Sequence, residues 1–231
     1  MTLCPESGSM HCLPLTIRLF GPLQVFLQGE PMPRVRVVHH GIPVSDYRVS
    51  SEKEEYVAFL GRMAPCKGPH LAIEAARRAG IRLKLAGEVQ PVFKEYWEQQ
   101  VAPSVDGDQA EYIGEADFAT KNTLLSNARA LLFPIQWEEP FGLVLIEAMA
   151  CGTPVLAFAG GAVEEIVRDG VNGWICSDVD DMARRIQSLE ITPDACRSFV
   201  EANFSIARMA DDYLEVYART IEELKTTPPE S

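Results

Sequence analysis

The chain contains no apolar run that reaches the roughly 18 residues of a membrane span, and its first residues lack the basic start of a secretory signal. Its six cysteines, Cys4, Cys12, Cys66, Cys151, Cys176 and Cys196, form no CxxC pair and no metal-ligand spacing. Scattered thiols of this kind fit a reducing compartment, so the absences together predict a soluble, cytoplasmic protein with no transmembrane segment. Positive charge is scarce as well. With 21 Lys and Arg against 33 Asp and Glu, the net charge is -12, which argues against nonspecific binding to nucleic acid or to an anionic membrane while leaving the charge of a local pocket open. No G-x-G-x-x-G follows any apolar run, which makes a dinucleotide-dependent oxidoreductase a weak reading.

What is present is alternation. Short apolar runs at 56–60, 82–86, 111–113, 130–135, 155–158 and 174–176 read as strands, and helical stretches fall at 69–79, 92–101, 118–128, 142–151, 163–167 and 181–189. Strand and helix in alternation give a parallel sheet covered on both faces, an α/β, Rossmann-like arrangement. Ser205 opens a long terminal helix, in which Met209, Tyr213, Val216, Tyr217, Ile221 and Leu224 recur at three- and four-residue spacing. At 231 residues and 47% hydrophobic composition the chain can bury one substantial core, and its length argues for one or two domains.

The stretch from Glu138 to Val155 is the most informative. A single carboxylate, Glu147, interrupts a helix-length apolar run, and a lone ionised carboxylate buried there would cost several kcal/mol unless it met a polar partner. An apolar strand precedes it, then a loop from Trp137 to Phe141, then a helix opened by Gly142 and closed by Gly152. Strand, loop and helix N-terminus together make an anion site, because the first backbone N–H groups are free and the macrodipole is positive there. Glu139 lies just before that terminus and Glu147 in the second turn. Carboxylates accept from hydroxyls and repel phosphate, so this pair suits the sugar parts of a nucleotide sugar whose diphosphate lies between them.

A second strand-to-helix loop, from Gly61 to Gly68, carries Arg62 and Lys67. The first is a planar fork suited to phosphate oxygens and the second a compact point charge. Both loops lie beyond the carboxyl ends of strands, where ligands bind in open parallel sheets.

Glu139 and Glu147 have E-x7-E spacing, and the flanking Glu-Pro-Phe-Gly-Leu and Glu-Ala-Met-Ala-Cys-Gly-Thr-Pro-Val resemble the most diagnostic block of the retaining glycosyltransferases of the GT-B fold, family four (glycosyl transferases group one). The Gly61 to Gly68 loop is similar to that family's basic loop. The resemblance implies the donor-binding C-terminal domain of such an enzyme, with a UDP- or GDP-sugar as donor, a hexosyl group transferred with retention, and no metal or other cofactor. It assigns Glu139, Arg62 and Lys67 to catalysis, and Glu147, Phe141, Gly142, Leu143 and Gly61 to donor binding.

The match begins near Val35. Residues 1–45 read as a remnant of the N-terminal domain and a linker with a Pro- and Gly-rich, poorly ordered start, 46–204 as the nucleotide-sugar domain, and 205–231 as the terminal helix and a frayed tail. The acceptor domain therefore reads as missing and the acceptor as unknown. Self-association, or a partner chain, is expected at the face left by that domain. The alternative is a noncatalytic nucleotide-sugar-binding module or one half of a two-chain enzyme. Glu164 stands where the family often has proline and Cys66 where it often has Glu. His39 and His40 are strand neighbours pointing to opposite faces, which disfavours a shared metal. The pairs Asp106/Asp108 and Asp178/Asp180 read as a turn and a helix start.

Overall fold

The computed structural model describes residues 16–18 and 35–226. The expectations for the rest of the Pro- and Gly-rich start, for Cys4 and Cys12, and for the tail after Thr226 lie outside the described residues. Strands β1 (Thr16–Arg18) and β2 (Val35–Val37) pair in parallel as a small separate sheet.

The main sheet has six parallel strands: β3 (Tyr56–Leu60), β4 (Arg82–Ala86), β5 (Ala110–Tyr112), β6 (Leu131–Phe133), β7 (Val155–Phe158) and β8 (Gly173–Cys176), in the order β5-β4-β3-β6-β7-β8. Continuous apolar runs form β3, β6 and β7 because both faces of the sheet are covered there, whereas β4 and β5, towards one edge, carry Arg82, Lys84 and Glu111. Along β3, Tyr56 and Ala58 enter one core while Val57 and Phe59 enter the other; in β6, Leu131 and Phe133 face the first and Leu132 the second. The period of two sends successive side chains to opposite layers.

The helices divide in the same way. On one face α1 (Pro69–Ala79) packs on α6 (Val179–Gln187). On the other, α4 (Leu143–Ala150) packs on α7 (Pro193–Asn203) and on α3 (Phe118–Asn127). The short α2 (Lys94–Tyr96) and α5 (Val163–Ile166) complete the layers before the terminal α8 (Ile206–Thr226).

Several expectations change. The helix expected over 92–101 is three pieces, a 3-10 turn Pro91–Phe93, α2 and a π-helical turn Trp97–Val101, followed by a second 3-10 turn that contains Pro103. A ring without an N–H at Pro103 cannot continue a regular ladder. Helix α7 has no counterpart in the sequence reading, although Thr192 accepts from the Ala195 N–H and Pro193 opens the first turn, a combination that marks a helix start. Ser205 does cap α8, accepting from the Arg208 N–H at 3.2 Å. The α8 stripe is only partly used: Val216 is buried, Met209 and Tyr213 half-buried, and Tyr217 and Ile221 exposed. The helix lies along residues 36–41, with Arg36 3.4 Å from Glu223 and the Gly41 N–H 3.2 Å from the Met209 sulfur.

Candidate functional site: the cleft at the sheet's switch point

Strand order reverses between β3 and β6. From β3 the chain winds outward through β4 and β5, and from β6 it winds the other way, so the loops leaving the carboxyl ends of these two neighbours diverge and leave a crevice. The loop after β3 carries Arg62 and Lys67; the loop after β6 carries Glu139 and leads into α4.

The two loops are pressed together at Gly68. This residue is left-handed, with φ 70°, and a Cβ there would lie 2.2 Å from the Pro134 carbonyl oxygen. The Gln136 N–H also donates to the Cys66 carbonyl at 2.8 Å. Lys67 is thereby held against the second loop. Its Nζ lies 2.5 Å from Glu139 Oε2 and 4.8 Å from the centre of the Trp137 ring. The Trp137 indole N–H donates to the same Oε2 at 3.0 Å.

Gly142, with φ 83°, turns the chain into α4, a backbone conformation that favours a residue without Cβ. Phe141 beside it is buried, its ring 5.0 Å from that of His40 and 6.0 Å from that of Phe204, which anchors the loop from the core side. The Gly161 N–H donates to Glu138 at 2.6 Å and the Ala162 N–H to the Glu139 carbonyl at 2.9 Å, so the turn after β7 braces the same loop.

Glu147 is not deep in an apolar core. Its side chain is 14% exposed, at the cleft floor, and its Oε1 accepts from Lys121 Nζ at 2.6 Å and from the Tyr47 hydroxyl at 3.0 Å. The polar partner demanded by the sequence is therefore first of all Lys121, on α3, joined by Tyr47 from the segment before β3. Burial, and then the Glu147 carboxylate, push the Tyr47 phenol above its usual range, which keeps it a neutral donor. Neither residue is signalled by sequence pattern, since each reaches Glu147 from a distant part of the chain.

The crevice has two adjoining lobes of about 290 Å³ each, which share Lys67, Glu139, Gly142 and Leu143. One adds Gly61, Lys121 and Glu147, and the other Arg62, His40, Trp137 and Phe141. All eight residues singled out from sequence line one lobe or the other. A larger cavity of about 380 Å³ lies beneath α3, around Tyr56, Lys84 and Glu111, and holds none of them. The convergence of chemistry favours the smaller crevice. Arg62 is exposed and its guanidinium makes no hydrogen bond or ion pair among the described residues.

The flanking motifs are structural. Asp106 accepts from the N–H groups of Asp108, Gln109 and Ala110, which closes a turn and holds its carboxyl below the usual range. Asp178 caps α6 by accepting from the Asp181 N–H at 2.7 Å. His39 pairs with Glu165 at 2.9 Å, while burial first and then His39 lower the pKa of His40. Among the described residues no group of three or more His, Cys, Asp and Glu is arranged to hold a metal. The four described cysteines are free, and no described helix is long and apolar enough to cross a membrane.

Comparison with known proteins agrees with this geometry. Residues 46–205 match the family model described as glycosyl transferases group 1. D-inositol 3-phosphate glycosyltransferase of Mycobacterium sp. (strain JLS) is 32% identical across 89% of this chain, and that of Mycobacterium avium (strain 104) is 30% identical across 84%. In each case the match covers 51% of the relative, so the chain spans about half the length of these curated relatives. Among solved structures, AviGT4, a glycosyltransferase involved in avilamycin A biosynthesis, superposes with a TM-score of 0.71 at 29% identity, covering 81% of this chain and 59% of that one. Anabaena HepE, solved in complex with UDP, has the same fold, with a TM-score of 0.72 at 21% identity over 83% of this chain and 59% of that one. The chain belongs to the glycosyl transferases group 1 family and has the Rossmann-like α/β architecture of its GT-B members.

Proposed function

We propose that this chain is the donor-binding part of a retaining, nucleotide-sugar-dependent glycosyltransferase, taking a UDP- or GDP-sugar and passing its hexosyl group to an acceptor. The observation that carries the reading is the convergence of Arg62, Lys67, the N-terminus of α4 and the Glu139/Glu147 pair on one crevice at the sheet's switch point.

The chemistry is electrostatic. When the bond from the anomeric carbon to the diphosphate breaks, negative charge grows on the leaving oxygens, and preorganised donors lower the barrier most where that charge develops. Lys67, Arg62 and the N–H groups of Gly142 and Leu143 serve that role, which makes a metal unnecessary. Lys67 has three N–H donors; one holds Glu139 and the others remain for phosphate oxygens. Glu139 accepts from a hydroxyl of the donor sugar and Glu147 from the ribose. Gly61 lets the backbone approach closely, and the buried ring of Phe141 fixes the loop.

Calorimetric titration with UDP, GDP, ADP and their glucose and mannose conjugates tests the reading. One conjugate is expected to bind more tightly than its bare diphosphate, with the preference lost in Glu139→Gln. Failure of every nucleotide to bind would overturn it.

A further inference from the structure

The two carboxylates of the crevice are held by the same device. Glu139 takes a lysine and an aromatic donor on one oxygen, Oε2, from Lys67 and Trp137; Glu147 takes a lysine and an aromatic donor on one oxygen, Oε1, from Lys121 and Tyr47. No donor among the described residues reaches Glu147 Oε2. Two donors converging on one oxygen fix the plane of a carboxylate and direct the lone pairs of the other.

The donors are themselves fixed. Arg197 binds the carbonyl of Tyr47 at 2.8 Å and that of Ala150, at the end of α4, at 2.7 Å, tying the tyrosine to the helix that bears Glu147. Asn122, the neighbour of Lys121 on α3, binds the carbonyl of Asp46 at 2.8 Å and accepts from the Arg48 N–H at 3.0 Å. The Phe118 ring packs edge-on against Tyr47, with centres 5.4 Å apart, and the Lys121 ammonium sits 5.5 Å from the centre of Phe118. Lysine and phenol therefore arrive from two segments that are clasped to each other and to α4.

We propose that Lys121 and Tyr47 are positioning residues, which saturate Glu147 Oε1 and present Oε2 to the ribose of the nucleotide, so that the site prefers a ribonucleotide to its 2′-deoxy analogue. The inference rests on the assignment of Glu147 to the ribose in the proposed function and names what makes that carboxylate selective. A lysine that merely neutralised a half-buried charge would stabilise the fold and leave sugar preference untouched.

The test is calorimetric titration of the full chain and of Lys121→Met and Tyr47→Phe with UDP, 2′-deoxy-UDP and inorganic pyrophosphate, and with the guanine pair should the chain take GDP. The native chain is expected to prefer the ribonucleotide by about tenfold, the scale of one charge-assisted hydrogen bond. Each variant is expected to reduce that preference to about twofold or less while pyrophosphate affinity is retained. Tyr47→Phe removes one hydroxyl only, so it keeps the test open if the lysine variant folds poorly. Equal loss of affinity for the two nucleotides, or a preference unchanged in folded variants, would overturn the positioning role. Absence of nucleotide binding by the native chain would instead overturn the functional reading beneath it.

Discussion

Replacing Lys67 with Met should destabilise the fold, and replacing Glu139 with Gln in the same chain should restore much of what is lost. The Lys67 and Glu139 side chains are 14% and 9% exposed, so the pair belongs with buried ion pairs, where removal of one partner strands the other, and not with surface pairs worth about 0–1 kcal/mol. Breaking a fully buried pair costs roughly 3–5 kcal/mol. Here the Trp137 N–H still reaches Glu139 after the lysine is gone, which brings the expected loss to about 2 kcal/mol. In a chain of this size that lowers Tm by about 4–8 °C. Glu139→Gln in the Lys67→Met background removes the stranded charge and keeps an acceptor for Trp137, so at least half of the loss should return. Urea unfolding of the native chain, both single variants and the double variant gives the coupling directly. A Lys67→Met chain as stable as the native one, or no recovery in the double variant, would refute the claim that this pair is a buried, coupled element of the crevice.

Arg62→Ala should leave stability within about 0.5 kcal/mol of native, as expected for an exposed side chain with no hydrogen bond or ion pair among the described residues, while weakening pyrophosphate binding by about tenfold in calorimetry; a fall in Tm without a fall in affinity would contradict this. Gly68→Ala should lower stability by at least about 2 kcal/mol, because a left-handed backbone and a collision with the Pro134 carbonyl act together, and should disturb diphosphate binding through Lys67; near-native thermal unfolding would speak against the close approach. Burial lowers Lys53 to about 8, although its Nζ meets the Ser126 and Cys151 carbonyls and the Thr153 hydroxyl. Between that value and the ordinary lysine range the unfolded chain holds a proton that the folded one has released, so stability should rise with pH there. Burial raises the Cys151, Cys176 and Cys196 thiols to about 12, so above their unfolded value of 9.0 the folded chain holds three protons that the unfolded chain has lost. Stability should therefore peak near the pH where the thiols overtake Lys53, with the rising limb absent in Lys53→Met; a chemical-denaturation series across this range that shows no maximum would refute the balance.

The sheet was legible because its signals are local. Strands β3 and β7 and helix α1 have the bounds read from sequence, since apolar runs of four or five residues and a helix with Pro69 at its start and Gly80 past its end are written within single segments. The segment 92–101 reads as one helix because its apolar spacing suits one, while Pro103 and the short turns around it break the stretch 91–104 into pieces. Helix α7 carried a readable start at Thr192 and Pro193, but a weak apolar face concealed it. At the site, the eight residues read from sequence could be recognised because each lies in a loop leaving the end of a strand or in the first turns of the helix that follows. The two residues that hold Glu147 could not. Lys121 is 26 positions from Glu147 and Tyr47 is 100, and what joins them is the return of α3 and of the segment before β3 to the face where α4 lies, a property of the packed layers.

The central claim, a diphosphate pocket that works through lysine, arginine and a helix terminus without metal, is tested most directly by titrating the native chain and Lys67→Ala with UDP and with uridine, or GDP and guanosine, first in EDTA and then in magnesium. The account predicts diphosphate binding in EDTA that magnesium does not strengthen, and a loss in Lys67→Ala that is large for the diphosphate and slight for the nucleoside. Binding that requires magnesium, or equal losses for diphosphate and nucleoside, would contradict it.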